Sequence, residues 1–160
     1  MKTLYENYFK QGISKNPILD VMSHIPMFEN LAPSELKEVA RLTHEREYKK
    51  DEHVFKKLAP AEGMYFIIKG DIEILDPDSG TVFVNLSDGD FFGELALLDE
   101  EPRSASAIAK SSSKLGGFFR SDLLTLMSRD PKLGNKIMMD LSRVLGERLR
   151  QTNKDLAKLS

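Results

Sequence analysis

From about residue 43 to residue 119 the sequence repeats one pattern, in which a short run of β-branched and aromatic residues is followed by a turn. "GMYFIIKG" carries apolar residues on both faces, and "DIEILD" alternates, with Ile72 and Ile74 on one side. "PDSG" is a turn for three separate reasons, because Pro77, Asp78 and Gly80 each favour one. "TVFVNL" places Val82, Val84 and Leu86 on one side and Phe83 on the other, and "SDGD" turns the chain again. "SASAIAK" is a strand of small residues, "KLGGFF" reads as one more, and "REYKKDEHVFKK" reads as an exposed, charge-mixed edge strand and turn. Strands this short, with a turn between each pair, predict a small antiparallel barrel or sandwich.

Helical patterning flanks this region. Residues 4–23 read as one or two short helices broken near Gly12 and Pro17, with Leu4, Tyr8, Ile18, Leu19 and Met22 as contact points. "NLAPSELKEVARL" predicts a helix with Pro33 in its first turn and Leu36, Val39, Ala40 and Leu42 on one face. Ser121 is expected to cap "DLLTLM", and Asp130 with Pro131 forms an N-cap and N1 pair. From there helix is expected to about Lys158. Met138, Leu145, Leu149, Thr152, Leu156 and Leu159 follow 3–4 spacing with Ser142 at the remaining position, while Ile137, Leu141 and Val144 form a second stripe. One stripe can face the barrel and the other a partner helix.

The 160 residues are 41% apolar, which suits one domain with a real core. Twenty-three basic side chains against 25 acidic ones give a formal net charge of -2, with no general attraction for nucleic acid or an anionic membrane. Cysteine is absent, which excludes disulfides and thiolate metal sites. The longest apolar run, "MYFII", is too short to span a bilayer, and "MKTLYENYFKQG" lacks a signal-peptide core. The expected protein is soluble and cytoplasmic.

The densest chemistry lies in residues 89–107, "GDFFGELALLDEEPRSASA". Gly89 and Gly93 permit positive φ or close backbone approach. A short helix starting at "GELALL" would offer the N–H groups of Gly93, Glu94, Leu95 and Ala96 to an anion. Arg103 adds a guanidinium and Ser104 a hydroxyl, the parts of a phosphate cradle, while Ala105 and Ala107 leave room against the strand. Glu94 does not suit a bare phosphate, yet it accepts well from a sugar hydroxyl. The ligand should therefore carry a phosphate and a hydroxyl on one rigid frame, as a ribose with a cyclic phosphate does.

Phe92-Gly93-Glu94-Leu95-Ala96-Leu97, then four loop residues, then Pro102-Arg103-Ser104-Ala105 resemble the phosphate-binding cassette of cyclic-nucleotide-binding domains. The similarity extends to residues 25–28 and to "GMYFIIKGDIEIL", and covers roughly residues 20–155. The resemblance implies an eight-stranded jelly-roll β-barrel, mainly β, with N-terminal helices and a long C-terminal helix. The implied division is an N-terminal helical segment (1–24), a barrel (25–128) with its cassette at 92–105, and a C-terminal lid and dimer helix (129–160). It further implies that Glu94 accepts from the ribose 2′-hydroxyl and Arg103 pairs with the exocyclic phosphate oxygens. Gly93, Leu95, Ala96 and Ala105 would give backbone contacts, Ser104 would donate to phosphate or base, and Phe83 and Ile74 would contact the purine. Two departures, Leu58 and the pair Gly116–Gly117, are read as points where the barrel can loosen.

"LSRVLGERLRQTNKDLAKL" resembles the dimer helix of the bacterial catabolite activator group, which implies Arg148 near Glu94 and Thr152 and Asn153 near the base edge. A homodimer through this helix is expected. No basic recognition helix follows, so direct DNA binding is not expected, and Met1 is read as a natural N-terminus. The expected function is a non-enzymatic cyclic-nucleotide sensor whose C-terminal helix rearranges on binding and signals to a downstream protein. Cyclic AMP is the first choice of ligand, and Ser104 keeps cyclic GMP open. A second reading is a ligand-free dimeric scaffold. A third is a jelly-roll metal oxygenase, which needs two histidines and a carboxylate lining the barrel. His24, His44 and His53 are expected outside the lining strands, and Asp99, Glu100 and Glu101 read as a solvated loop, so no metal is expected.

Overall fold

The computed structural model describes residues 16–160, so the contacts expected of Leu4 and Tyr8 and the break at Gly12 lie outside the described residues. Asn16 accepts a hydrogen bond from the Ile18 N–H and caps α1 (Pro17–His24). Helix α2 (Pro33–Arg41) has Pro33 at its first turn, and the Glu35 carboxylate accepts from the Ala32 N–H at 2.9 Å. Leu19 and Met22 of α1 and Leu36 and Val39 of α2 are buried in one cluster with Phe66, Phe118 and the inner stripe of the last helix.

Eight strands follow. They are β1 (His44–Tyr48), β2 (His53–Phe55), β3 (Gly63–Lys69), β4 (Ile72–Leu75), β5 (Val82–Leu86), β6 (Phe91–Phe92), β7 (Ser106–Ala109) and β8 (Ser113–Phe119). They form two four-stranded sheets ordered β1-β8-β3-β6 and β2-β7-β4-β5, and all their pairings are antiparallel. This is the expected jelly roll. Strand β6 was not legible as a strand, because two residues leave no alternation to read. Between the sheets a second cluster packs Ile67, Ile72, Ala107, Ala109 and Leu115. The turns fall where the sequence placed them: Gly80 and Gly89 have φ of 73° and 87°.

Helix α3 (Arg120–Arg129) starts directly after β8, with Phe119 at the N-cap position and no side-chain cap. Ser121 therefore lies inside the first turn, and its carbonyl accepts from the Thr125 hydroxyl at 3.0 Å. The chain passes from β8 into helix without a loop, so the cap position falls two residues earlier than composition suggests. Helix α4 (Pro131–Lys158) starts as expected, with Asp130 accepting from the Leu133 N–H at 3.1 Å. Its Ile137–Leu141–Val144 stripe is buried.

The two departures from the family pattern act differently from expectation. Gly116 and Gly117 sit where neighbouring rings leave little or no room for a side chain. A Cβ on Gly116 would come within 2.1 Å of the Phe66 ring, and one on Gly117 within 3.0 Å of the Phe119 ring. Phe66 is fully buried and cannot retreat. Leu58, by contrast, has a φ of 70° with its side chain 74% exposed. Its backbone is held there because the Leu58 N–H donates to the Arg103 carbonyl at 2.8 Å and the Arg103 N–H donates to the Ala59 carbonyl at 3.0 Å. A side chain in this region carries about 1–2 kcal/mol of strain, offset in part by the greater chain entropy a glycine would lose.

Leu58→Gly is expected to raise the unfolding free energy by about 0.5–1 kcal/mol in urea titration, and a lowered midpoint would refute the strain. Gly116→Ala is expected to lower it by about 1–3 kcal/mol through overpacking against Phe66, read from the same titration.

Candidate phosphate-binding pocket

A pocket of about 590 Å³ opens between the β4–β5 hairpin, the segment from Phe91 to Ala105 and α4. Its lining is mixed in chemistry. Ile74 of β4 pairs across the ladder with Val84 of β5, and these two with Leu86 give the lining an apolar portion from the β4–β5 hairpin. The lining also carries Gly93, Glu94, Arg103 and Ser104.

The polar portion is built by one tight turn. Gly93 has a φ of 76° and leads into a 3-10 turn from Glu94 to Leu97. A Cβ on Gly93 would also come within 2.8 Å of Arg103 Nη1, so conformation and space both demand glycine here. The Ala96 N–H donates to the Gly93 carbonyl at 3.2 Å, so it is not one of the free donors expected at this turn.

Arg103 is 7% exposed. Its Nη2 donates to the Gly63 carbonyl at 2.6 Å and its Nη1 points to the Gly93 carbonyl at 3.4 Å. Its Cζ lies 4.1 Å from the centre of the Phe55 ring and 5.9 Å from that of Tyr65. Among the described residues no carboxylate forms an ion pair with it, and its buried Nε has no hydrogen-bond partner. Desolvation pulls the guanidinium below its ordinary pKa, yet an arginine stays charged at any physiological pH. Burial likewise pushes the neighbouring Tyr65 phenol up, so that ring is neutral and cancels none of the charge. Glu62, next to Gly63, acts on the guanidinium through its charge without pairing with it, so Arg103 remains a desolvated cation with no direct carboxylate contact, which favours an anion.

Glu94, 6% exposed, does have a partner. Arg148 of α4 donates to it through Nη1, and the same guanidinium lies over the Phe91 ring at 4.6 Å. The expectation that Arg148 stands near Glu94 therefore holds. Glu94 and Arg103 both line the pocket.

Nine of the twelve residues expected at a ligand site line this pocket: Ile74, Gly93, Glu94, Leu95, Ala96, Arg103, Ser104, Ala105 and Arg148. Phe83 does not. The ladder register turns Val84 to the pocket, so Phe83 faces away and is 60% exposed. The alternation had already separated Val84 from Phe83, and the apolar contact belongs to the valine face. Thr152 and Asn153 also lie outside the pocket, exposed on α4, where the Thr152 hydroxyl bonds back to the Arg148 carbonyl at 2.9 Å. Phe55, Leu86 and Phe91 line the pocket without having been singled out. Asp99 and Glu101 of the loop also reach its rim, while Glu100 turns away to pair with Arg120 at 2.6 Å. His44 and His53 lie on strands β1 and β2 rather than outside them, but both are exposed, and among the described residues no metal-holding cluster forms.

The sequence profile of the cyclic nucleotide-binding domain matches residues 45–130. The cyclic AMP receptor protein of Thermus thermophilus is 31% identical over 142 residues, 87% of this chain and 64% of that protein. A cyclic nucleotide-gated potassium channel of Mesorhizobium japonicum is 29% identical over 113 residues, 71% of this chain and 31% of the channel. The chain thus spans less than two thirds of these relatives' length. The crystal structure of the Thermus thermophilus catabolite activator protein superposes with a TM-score of 0.73 at 31% identity, covering 84% of this chain and 62% of that one. A cyclic nucleotide-binding domain from Methylobacillus flagellatus shares the fold, with a TM-score of 0.77 at 23% identity over 90% of this chain and 83% of its own. Profile, relatives and fold agree, and the chain belongs to the cyclic nucleotide-binding domain family.

Proposed function

We propose that this protein is a binding protein rather than an enzyme, a cytoplasmic sensor that takes a cyclic nucleotide, cyclic AMP before cyclic GMP, and passes the signal on through α4. The observation that carries this reading is Arg103, a buried guanidinium with no carboxylate ion-pair partner among the described residues, in a pocket that Glu94 also lines. The cyclic phosphate would meet the Arg103 guanidinium, and Ser104 would add its hydroxyl. The ribose 2′-hydroxyl would donate to Glu94, which has two oxygens and so can accept from ribose and Arg148 together. The base would rest against Ile74 and Val84. The pocket volume of about 590 Å³ falls in the usual range for small-ligand sites. Relatives named for cyclic AMP, among them a kinase regulatory subunit of Aspergillus fumigatus 30% identical over 106 residues, support the choice of ligand.

Output would follow from where Arg148 stands. The first half of α4 is fixed to the body: Lys136 pairs with Glu35 at 2.7 Å, and buried Asp140 accepts from Asn30 at 3.1 and 3.2 Å. Beyond Gly146 the helix is exposed, and Arg148 there reaches back to the pocket to pair with Glu94. A ligand that engages Glu94 acts directly on that tie and so biases the position of the distal helix. Leu149, Leu156 and Leu159 are 62%, 58% and 85% exposed there on the seam of a heptad pattern. An apolar seam of this kind suits the same helix of a second copy, and the proposed form is a homodimer that hands its signal to a further protein.

In isothermal titration, saturable binding of cyclic AMP or cyclic GMP is expected. Arg103→Ala should weaken it by about 2–5 kcal/mol, the cost of deleting a charge-assisted contact at a buried phosphate. Unchanged affinity in that variant removes Arg103 from the site. Sedimentation at tens of micromolar is expected to show a dimer that Leu149→Glu with Leu156→Glu dissociates, and a wild-type monomer would overturn the helix pairing.

A further inference from the structure

Arg103 poses a question of how its plane is fixed. A buried arginine is commonly oriented by a carboxylate that matches its fork, and none pairs with it here among the described residues. Two backbone carbonyls take one N–H each, at 2.6 and 3.4 Å, and leave the rest of the fork, including Nε–H, without a partner. Two rings complete its surroundings, and the nearer is the face of Phe55, 4.1 Å from Cζ against 5.9 Å for Tyr65.

Phe55 is well placed to hold a cation steadily. It lies at the end of β2, opposite Ala107 of β7, beside a register shift between His53 and Phe55. Its ring packs against Tyr65 at 6.0 Å and Phe92 at 5.9 Å, and those two rings stack at 5.6 Å. Ring and guanidinium are thus both constrained. A guanidinium donates hydrogen bonds in its own plane and is attracted to an aromatic face out of that plane. Stacking therefore orients the group without using a single N–H. It also cancels no charge, which a carboxylate partner would do.

We propose that Phe55 is a positioning residue for the anion site: its ring fixes the plane of the Arg103 guanidinium so that the phosphate meets a cation already oriented and still fully charged. The proposal rests on the cyclic-nucleotide reading above. It assigns to an aromatic ring the orienting role that a carboxylate can hold at a buried arginine, at no loss of net charge.

Two measurements on the full chain test it. The first is nitrogen-15 NMR of the Arg103 side chain in ligand-free protein. The Nε–H signal is expected to be shifted by the Phe55 ring current and slow to exchange, and to move to an ordinary position in Phe55→Leu. An ordinary, fast-exchanging signal in the wild-type protein overturns the proposal with no variant needed. The second is titration with cyclic AMP and cyclic GMP. Phe55→Leu is expected to weaken the nucleotide that binds by about tenfold, while Phe55→Tyr, which keeps the aromatic face, stays within about threefold. A loss of affinity in Phe55→Leu with the Arg103 signal unmoved means that Phe55 acts by some other route and overturns the proposal. Undiminished binding in Phe55→Leu overturns it while leaving the sensor reading intact. A wild-type protein that binds neither nucleotide overturns both.

Discussion

A single buried positive charge organises this structure. Arg103 is removed from water without an ion-pair partner among the described residues, and its desolvation is offset by two carbonyls and an aromatic face. Each of those groups comes from a different element: Gly63 opens β3, Gly93 ends the approach to the 3-10 turn, and Phe55 ends β2. The two glycines are tight for related reasons. A Cβ at Gly63 would come within 2.3 Å of the Phe118 carbonyl, and one at Gly93 would enter the guanidinium itself. The barrel has to close to this spacing before the charge can be held, so the pocket and the closure of the sheets are one constraint.

Around that charge the pocket divides its work by polarity. The β4–β5 hairpin supplies branched aliphatic side chains and no buried polar group, while the segment between β6 and β7 supplies a carboxylate, a guanidinium and a hydroxyl. A ligand that is apolar at one end and carries a phosphate and a hydroxyl at the other satisfies both portions at once. Asp99 and Glu101 at the rim add negative charge at the mouth. They work against indiscriminate anion capture, because a small anion gains nothing from the apolar portion to offset their repulsion.

Helix α4 belongs to two environments. Up to Val144 it is core, fixed by buried Ile137 and Leu141 and by the Asp140–Asn30 bonds. Leu145 still packs against that core, but Leu149, Leu156 and Leu159 face outward, and Arg148 returns to the pocket. An exposed stretch with few buried contacts is the part of a fold whose position is most easily shifted. The arrangement puts the exposed half of the helix beside the pocket and its other half in the core.

Much of this was legible in the chain. The strands from Gly63 to Leu86 follow from alternation and turn residues, which are local properties. The cassette follows from residue types whose chemistry is specific, a glycine that must adopt positive φ beside a carboxylate and an arginine. Three features were decided only in three dimensions. Phe83 and Val84 are both good strand residues, and the pairing of Val84 with Ile74 selected which one faces the pocket. Gly116 looks like a weak point in a strand until the Phe66 ring occupies the space where its side chain would be. Phe55 carries no local signal at all, because its role depends on Arg103, remote in sequence and brought beside it by closure of the second sheet. Sequence determined the elements and the chemistry of the cassette, since both arise from neighbours along the chain. Tertiary structure decided which side chains face one another across the barrel, since that depends on strand register and the closeness of packing.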